Sequence, residues 1–307
     1  MVSSHRIPAK WQEQTSAIVS GFLGEWLHQR QNPMAFSMDL RFQDEVLDIA
    51  NPSFDAARPT LVVLVHGLTE LETVFDYPER PGENYATELA VQLDATPLSL
   101  RYNSGRSISS NGAAFDQLLA ELVAHWPVPV ERLILIGHSM GGLVTRSACY
   151  QASRQPSPSP WLCKLESCVY IGSPHEGSWL ARAAHKSADV LGKAPRDYVR
   201  AIADFLNVRS PGIHDLTEGN IHPDHEALQQ PPLVEGVRHY AVAGLLASQS
   251  SHPVSRLFGD ALVQESSATG SRQTEWKLTA TAVFPRIDHI RLSHHPLVYR
   301  QLKEWLV

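Results

Sequence analysis

The seven residues Ile136-Gly137-His138-Ser139-Met140-Gly141-Gly142 constrain this chain more than any other stretch. A β-branched and leucine run, 133–136, leads in, and a helix-like stretch, 143–150, leads out. Gly-X-Ser-X-Gly between a strand and a helix describes a sharp, strained turn that lifts the serine off the end of the strand. Glycines at 137 and 141 suit a backbone crowded by its own strand and helix. The N–H of the next residue then faces the space where an oxyanion would form. Five residues alone match by chance. Here a strand precedes them, a helix follows, and His66-Gly67 lies downstream of an earlier strand, which is the structural context the motif requires. The competing reading is a glycine-rich turn that only packs a helix on a sheet.

The rest of the chain supplies a matching frame. Residues 15–28 carry Ile18, Val19, Phe22, Leu23, Trp26 and Leu27 in two rows at i, i+4, i+8, an amphipathic helix. Its polar face holds Gln and Glu rather than Lys and Arg, which favours core packing over a membrane surface. Residues 38–49 read as a strand or strand pair. Residues 61–65 are apolar throughout, as in a parallel strand covered on both faces. A helix over 84–93, a strand over 96–102, a helical stripe from Phe115 to Trp126, and strands over 133–136 and 167–171 follow. This alternation indicates right-handed βαβ units and a doubly wound, mostly parallel α/β sheet with helices on both faces, within a single domain over 1–307.

The pattern then breaks. About sixty residues separate His175 from Glu235, more than one crossover helix needs. Within them, 178–203 read as helical in pieces and 209–232 as turn-rich. An insertion at the carboxyl end of a sheet, 175–235, is where a cap over a site is expected; surface elaboration without a function is the alternative. A strand over 237–243, a polar loop over 249–270 and a last strand over 276–284 follow. Pro296 opens a terminal helix with Val298, Leu302, Trp305 and Leu306 on its core face.

Composition excludes several classes. A net charge of −6 leaves no electrostatic footprint for nucleic acid. No stretch approaches the ~18 apolar residues of a membrane span. Residues 1–14 lack the apolar core of a signal peptide, so a cytoplasmic location is expected. Membrane-surface contact and oligomeric state stay open. Cys149, Cys163 and Cys168 are odd in number without metal-ligand spacing, and read as small buried residues. His222, Asp224 and His225 are a zinc-like set in a polar loop, where exposure is the simpler reading. No metal or cofactor is expected.

A serine hydroxyl needs a base, and the base a carboxylate to orient it. In a strand–turn–helix enzyme of this type the chain order is serine, acid, histidine. His289 follows the last strand and is the first choice for the base, with His294 and His295 as rivals. Asp260, in Gly-Asp-Ala-Leu-Val beyond the strand over 237–243, is the first choice for the acid. Asp215, Asp224 and Glu265 are rivals, and Asp288 is too near His289 in sequence to orient its ring. The oxyanion donors would be the N–H groups of Met140 and Leu68. His66 reads as a packing residue that supports the loop.

These residues also resemble the α/β-hydrolase superfamily, and within it bacterial lipase-like esterases related to the inositol-deacylase branch. The resemblance is carried by Gly21-Phe22-Leu23-Gly24 with Asn32-Pro33, Val65-His66-Gly67-Leu68, and Arg101-Tyr102-Asn103-Ser104-Gly105 with Ser110-Asn111-Gly112. It continues through Gly137 to Val144, Gly172-Ser173-Pro174-His175-Glu176-Gly177, Arg209-Ser210-Pro211-Gly212-Ile213, Gly259-Asp260-Ala261-Leu262-Val263 and Asp288-His289. It covers residues 20–306. Such proteins often carry glycine where this chain has Ala261. The resemblance implies Ser139 as nucleophile, Asp260 as acid, His289 as base, and Leu68 and Met140 as oxyanion donors. The implied activity is hydrolysis of carboxylic esters, small-molecule or lipid-like, through an acyl-enzyme. Acyl transfer or thioester cleavage on the same triad, and a non-catalytic binding module on the same fold, are the alternatives.

Overall fold

A computed structural model describes residues 10–31, 36–50, 57–175, 210–222, 231–245 and 276–307. Its centre is β3 (Thr60–Val65), the run Thr-Leu-Val-Val-Leu-Val, in which residues 61–65 are all buried. The side chains alternate between two cores. Leu61, Val63 and Val65 join one, and Val62 and Leu64 join the other. Over residues 61–65 the strand has no wet face, so that run carries no polar side chain. β5 (Arg132–His138) divides in the same way, with Leu133 and Leu135 on the first side and Ile134 and Ile136 on the second.

Among the described residues the sheet around this pair has eight strands, in the order β2-β1-β4-β3-β5-β6-β7-β8. β1 (Asp39–Phe42) and β2 (Glu45–Val46) form a hairpin, and β1 runs antiparallel to β4 (Ala95–Arg101). The pairs β4–β3, β3–β5, β5–β6 (Leu165–Ile171), β6–β7 (Arg238–Leu245) and β7–β8 (Ala280–Pro285) are parallel.

Helices cover both faces. α3 (Ile108–His125) and α4 (Met140–Arg154) pack on the first side through Phe115, Leu119, Leu122, Leu143, Val144 and Ala148. α2 (Tyr85–Leu93) and α6 (Pro296–Leu306) pack on the second through Ala86, Leu89, Val298, Leu302 and Leu306. Asn84 caps α2 with a full capping box, its side chain accepting from Ala86 and Thr87 while the Thr87 hydroxyl accepts from its backbone N–H.

Four expectations need correcting. α1 (Lys10–Gln29) does not bury all of its apolar rows: Ile18 and Trp26 are about half exposed. Among the residues of this helix whose burial is described, Ala17, Ser20, Gly21, Gly24 and Leu27 are buried. Small residues are used because the helix lies close on the loop after β4, where Asn103 Nδ2 donates to Gly24 O at 3.0 Å and Ser20 Oγ donates to Asn103 Oδ1 at 3.1 Å. Second, the segment read as turn-rich contains α5 (Pro211–Glu218), with Pro at its first turn and Gly219 left-handed at its end. Third, the last strand begins at Ala280 rather than at Trp276, whose ring instead packs on His175 and Arg146. Fourth, Cys163 is exposed, while Cys149 and Cys168 are buried, and all three are free thiols. Among the described residues, no helix is long and apolar enough to cross a membrane. Residues 176–209 and 223–230 of the expected cap lie outside the described residues.

Candidate active site at the carboxyl ends of the strands

β5 ends at His138, and α4 begins at Met140. Ser139 alone makes the turn, with φ 53° and ψ −124°. A positive φ on a non-glycine residue stores strain of roughly 1–3 kcal/mol and persists only where the surroundings impose it. Here they do. Ser139 N–H donates to Ile171 O at 2.8 Å, and its carbonyl accepts from Gly142 N at 3.1 Å. A Cβ on Gly141 would stand 2.1 Å from Val65 O, so the start of α4 presses directly on the end of β3. A Cβ on Gly137 would meet Gly142 N at 2.5 Å. Residues 133–138 and Met140 are buried, and Ser139 is partly exposed. Met140 occupies the first position of α4, where an N–H has no acceptor within its own helix.

The loop after β3 lies alongside. Gly67 N–H donates to Glu70 Oε2 at 2.8 Å and Thr69 N–H to Ser104 Oγ at 3.1 Å, so the donors flanking Leu68 N–H are both committed. Thr69 adopts φ 60°. His66 is buried and stacked on Tyr102 with ring centroids 4.4 Å apart. Its Nδ1 lies 2.8 Å from Gly67 O, and its Nε2 accepts from Tyr102 N at 3.4 Å. It is a packing residue of this loop.

His289 follows β8 in a turn that starts with Arg286 at φ 63°. It is buried, and its ring passes the end of β6, where a Cβ on Gly172 (φ +60°) would stand 2.8 Å from its Nδ1. That Nδ1 is buried and has no hydrogen-bond partner among the described residues. Burial, and secondarily the neighbouring His138, pull His289 down to about 3. An imidazole this weakly basic is a poor acceptor for a serine proton, and a carboxylate on Nδ1 would raise it.

The rival residues have other partners. His294 Nδ1 lies 3.0 Å from Val74 O and 3.1 Å from Ser293 Oγ. His295 caps α6, its Nδ1 accepting from Leu297 N at 3.2 Å. Asp288 accepts from Arg291 N at 2.9 Å. Asp215, fully buried on α5, accepts from Ile108 N at 2.8 Å and so caps α3. Asp260, Asp224, Glu265 and His225 lie outside the described residues. His222 packs edge-on against Tyr150, with centroids 4.8 Å apart.

Two groups escaped the sequence reading. Glu70 accepts not only from Gly67 but faces His138 Nδ1 at 3.0 Å, and its carboxyl is held below the usual range by His138 against the opposing effect of burial. The signal available was weak: a single Glu three residues past His66-Gly67. Arg146, buried on α4, lies over the Trp276 ring at 4.0 Å and donates to His175 Nδ1 at 3.3 Å. Burial pulls Arg146 down to about 10 and holds His175 well below its ordinary value, so His175 is a neutral acceptor for that cation. Together they brace the segment 172–175 that passes His289.

No protein-family model matches this sequence, and no curated protein matches it. Solved structures do. Mature lipase BlEst2 of Bacillus licheniformis aligns with a TM-score of 0.55 and 19% identity, over 88% of this chain and 98% of that one. Its propeptide form aligns with a TM-score of 0.55 and 18% identity, over 88% of this chain and 53% of that one. The RedJ thioesterase of the prodiginine pathway in Streptomyces coelicolor aligns more loosely, with a TM-score of 0.48 and 16% identity, over 85% of this chain and 94% of that one. The chain has the α/β-hydrolase fold.

Proposed function

We propose that this protein is a cofactor-independent serine hydrolase of carboxylic esters, with Ser139 as nucleophile, His289 as base and Asp260 as acid. The strained φ of Ser139 at the β5–α4 turn, with His289 buried beside Gly172, is the observation that supports it most. His289 takes the Ser139 proton as the oxygen attacks the acyl carbonyl. The N–H groups of Met140 and Leu68 receive the oxyanion, each worth ~2.7–4 kcal/mol of the barrier. Asp260 orients the imidazole and raises its basicity. The protonated imidazole then passes its proton to the departing alcohol. Water, deprotonated by the same histidine, releases the acid from Ser139. The reading places the site in a single domain under a cap formed by 175–235, and it includes kinship with the inositol-deacylase branch and a cytoplasmic setting.

The test is a serine-directed fluorophosphonate. Wild type should be labelled and Ser139→Ala should not, with the adduct located on Ser139 by mass spectrometry. A folded wild type that resists the reagent and turns over no ester overturns the reading.

A further inference from the structure

The end of β5, the loop after β3 and the His289 turn meet at one buried side chain. His138, fully buried at the end of β5, presents Nδ1 to Glu70 Oε2 at 3.0 Å and Nε2 to His289 O at 3.0 Å. Glu70 Oε2 in turn accepts from Gly67 N. The His138 ring stands nearly perpendicular to Phe75, with centroids 6.2 Å apart, and tilted against His289, with centroids 4.6 Å apart. Both ring nitrogens therefore face oxygens that can only accept, one of a carboxylate and one of a peptide carbonyl. A neutral imidazole carries a single N–H and would turn a lone pair toward one of those oxygens. A doubly protonated ring satisfies both.

We propose that His138 is an imidazolium, ion-paired with the Glu70 carboxylate, and that this pair is a positioning element joining the Leu68 loop to the His289 turn. The pair stands on the hydrogen-bond geometry alone. Its effect on catalysis rests on the serine-hydrolase reading above. Burial works against the charge on His138 and Glu70 works for it, with a net rise for His138 and a net fall for Glu70. The groups around the pair are His66, Glu70 and Glu72 from the loop after β3, Arg101 and Tyr102 from β4 and its end, and His289, Asp288 and His294 from the histidine turn. The His138 ring, 4.6 Å from the His289 ring, lowers His289 more than the Glu70 carboxylate raises it, so the pair as a whole opposes protonation of His289. It keeps the base free while holding its backbone in place.

Substituting Glu70→Gln keeps hydrogen-bonding atoms but removes the carboxylate, so His138 should fall to a singly protonated ring. In histidine-15N-labelled wild type at neutral pH, the ring assigned to His138 by its loss in His138→Gln should show two N-bound protons, and in Glu70→Gln one. The acid limb of kcat/KM for an aryl ester should move to higher pH in Glu70→Gln, by about one unit. A purely structural role would lower activity without moving that limb. One N-bound proton in wild type overturns the proposal, as does an unmoved limb in a Glu70→Gln protein that folds and reacts with the phosphonate. If Glu70→Gln fails to fold, the wild-type spectrum decides alone. A wild type inert to phosphonate and ester defeats the hydrolase reading, while the two-proton signature still reports the pair.

Discussion

Ser139 and His289 are held by different kinds of force. Around Ser139 the constraint is steric: the strand end, the helix start and Val65 O leave no room for a methyl group at residue 141. Around His289 it is polar. Asp288 accepts from Arg291 N, Tyr85 OH donates to Leu292 O at 2.8 Å, Ser293 Oγ donates to Val74 O at 2.7 Å, and His138 bonds the carbonyl of His289 itself. The first arrangement is insensitive to pH and intolerant of added atoms. The second depends on which groups are charged. A site that needs its nucleophile rigid and its base free to gain and lose a proton can use both.

The largest effect that tests this contrast is chemical. Ser139→Ala should lower kcat on a short-chain aryl ester by about 10⁴–10⁶. Asp260→Asn should lower it by about 10⁴ with the protein still folded. Next come the two glycines. Gly141→Ala should destabilise by about 3 kcal/mol in denaturant titration, because its Cβ meets immovable backbone. Gly172→Ala should destabilise by about 1–3 kcal/mol, from a left-handed residue made non-glycine, and should depress activity out of proportion by displacing the His289 ring. Equal ratios of activity to stability loss in the two variants would erase the distinction between the regions.

The pH dependence of stability divides His289 from its neighbour His138. His289 has a folded value near 3 against 6.5 when exposed. Between those values the unfolded chain binds a proton that the folded chain refuses, so its contribution is present above pH 6.5 and is lost as pH falls. His138 is raised, so its contribution is full below pH 6.5 and is lost as pH rises through its folded value. Denaturation midpoints should therefore fall on the acid side in wild type. The alkaline loss should be reduced in Glu70→Gln, where His138 has no counter-ion. The smallest expected effect is His295→Ala, which removes the α6 cap. It should cost about 1 kcal/mol of stability and leave kcat unchanged.

Much of this architecture is legible in the sequence where one residue type answers to one local force. The run at 61–65 announces a strand buried on both faces, and Gly137 to Gly142 announces the elbow, because crowding there leaves only glycine. Other features depend on distant partners. The buried Ser20, Gly21 and Gly24 of α1 answer to the nearness of the loop after β4, where Asn103 bonds Gly24 O, and periodicity of apolar residues does not mark them. α5 was legible in principle, since Ser-Pro opens it and Gly219 closes it. Composition suggested only turns there because the helix is eight residues long and half polar. Glu70 could not be found from the chain alone: its partner His138 lies 68 residues away. In the choice of base, chain order puts His289 ahead of His294 and His295, and tertiary hydrogen bonds add that the rivals are engaged with Val74 O and with the start of α6.

That choice gives the most direct measurement of the central claim. His289→Ala and His294→Ala, both checked for folding, should be compared in kcat/KM on the same aryl ester. The account predicts a fall of about 10⁴ or more for His289→Ala. It predicts near wild-type turnover for His294→Ala, whose ring serves Val74 O. Turnover that survives in His289→Ala and vanishes in His294→Ala would contradict it.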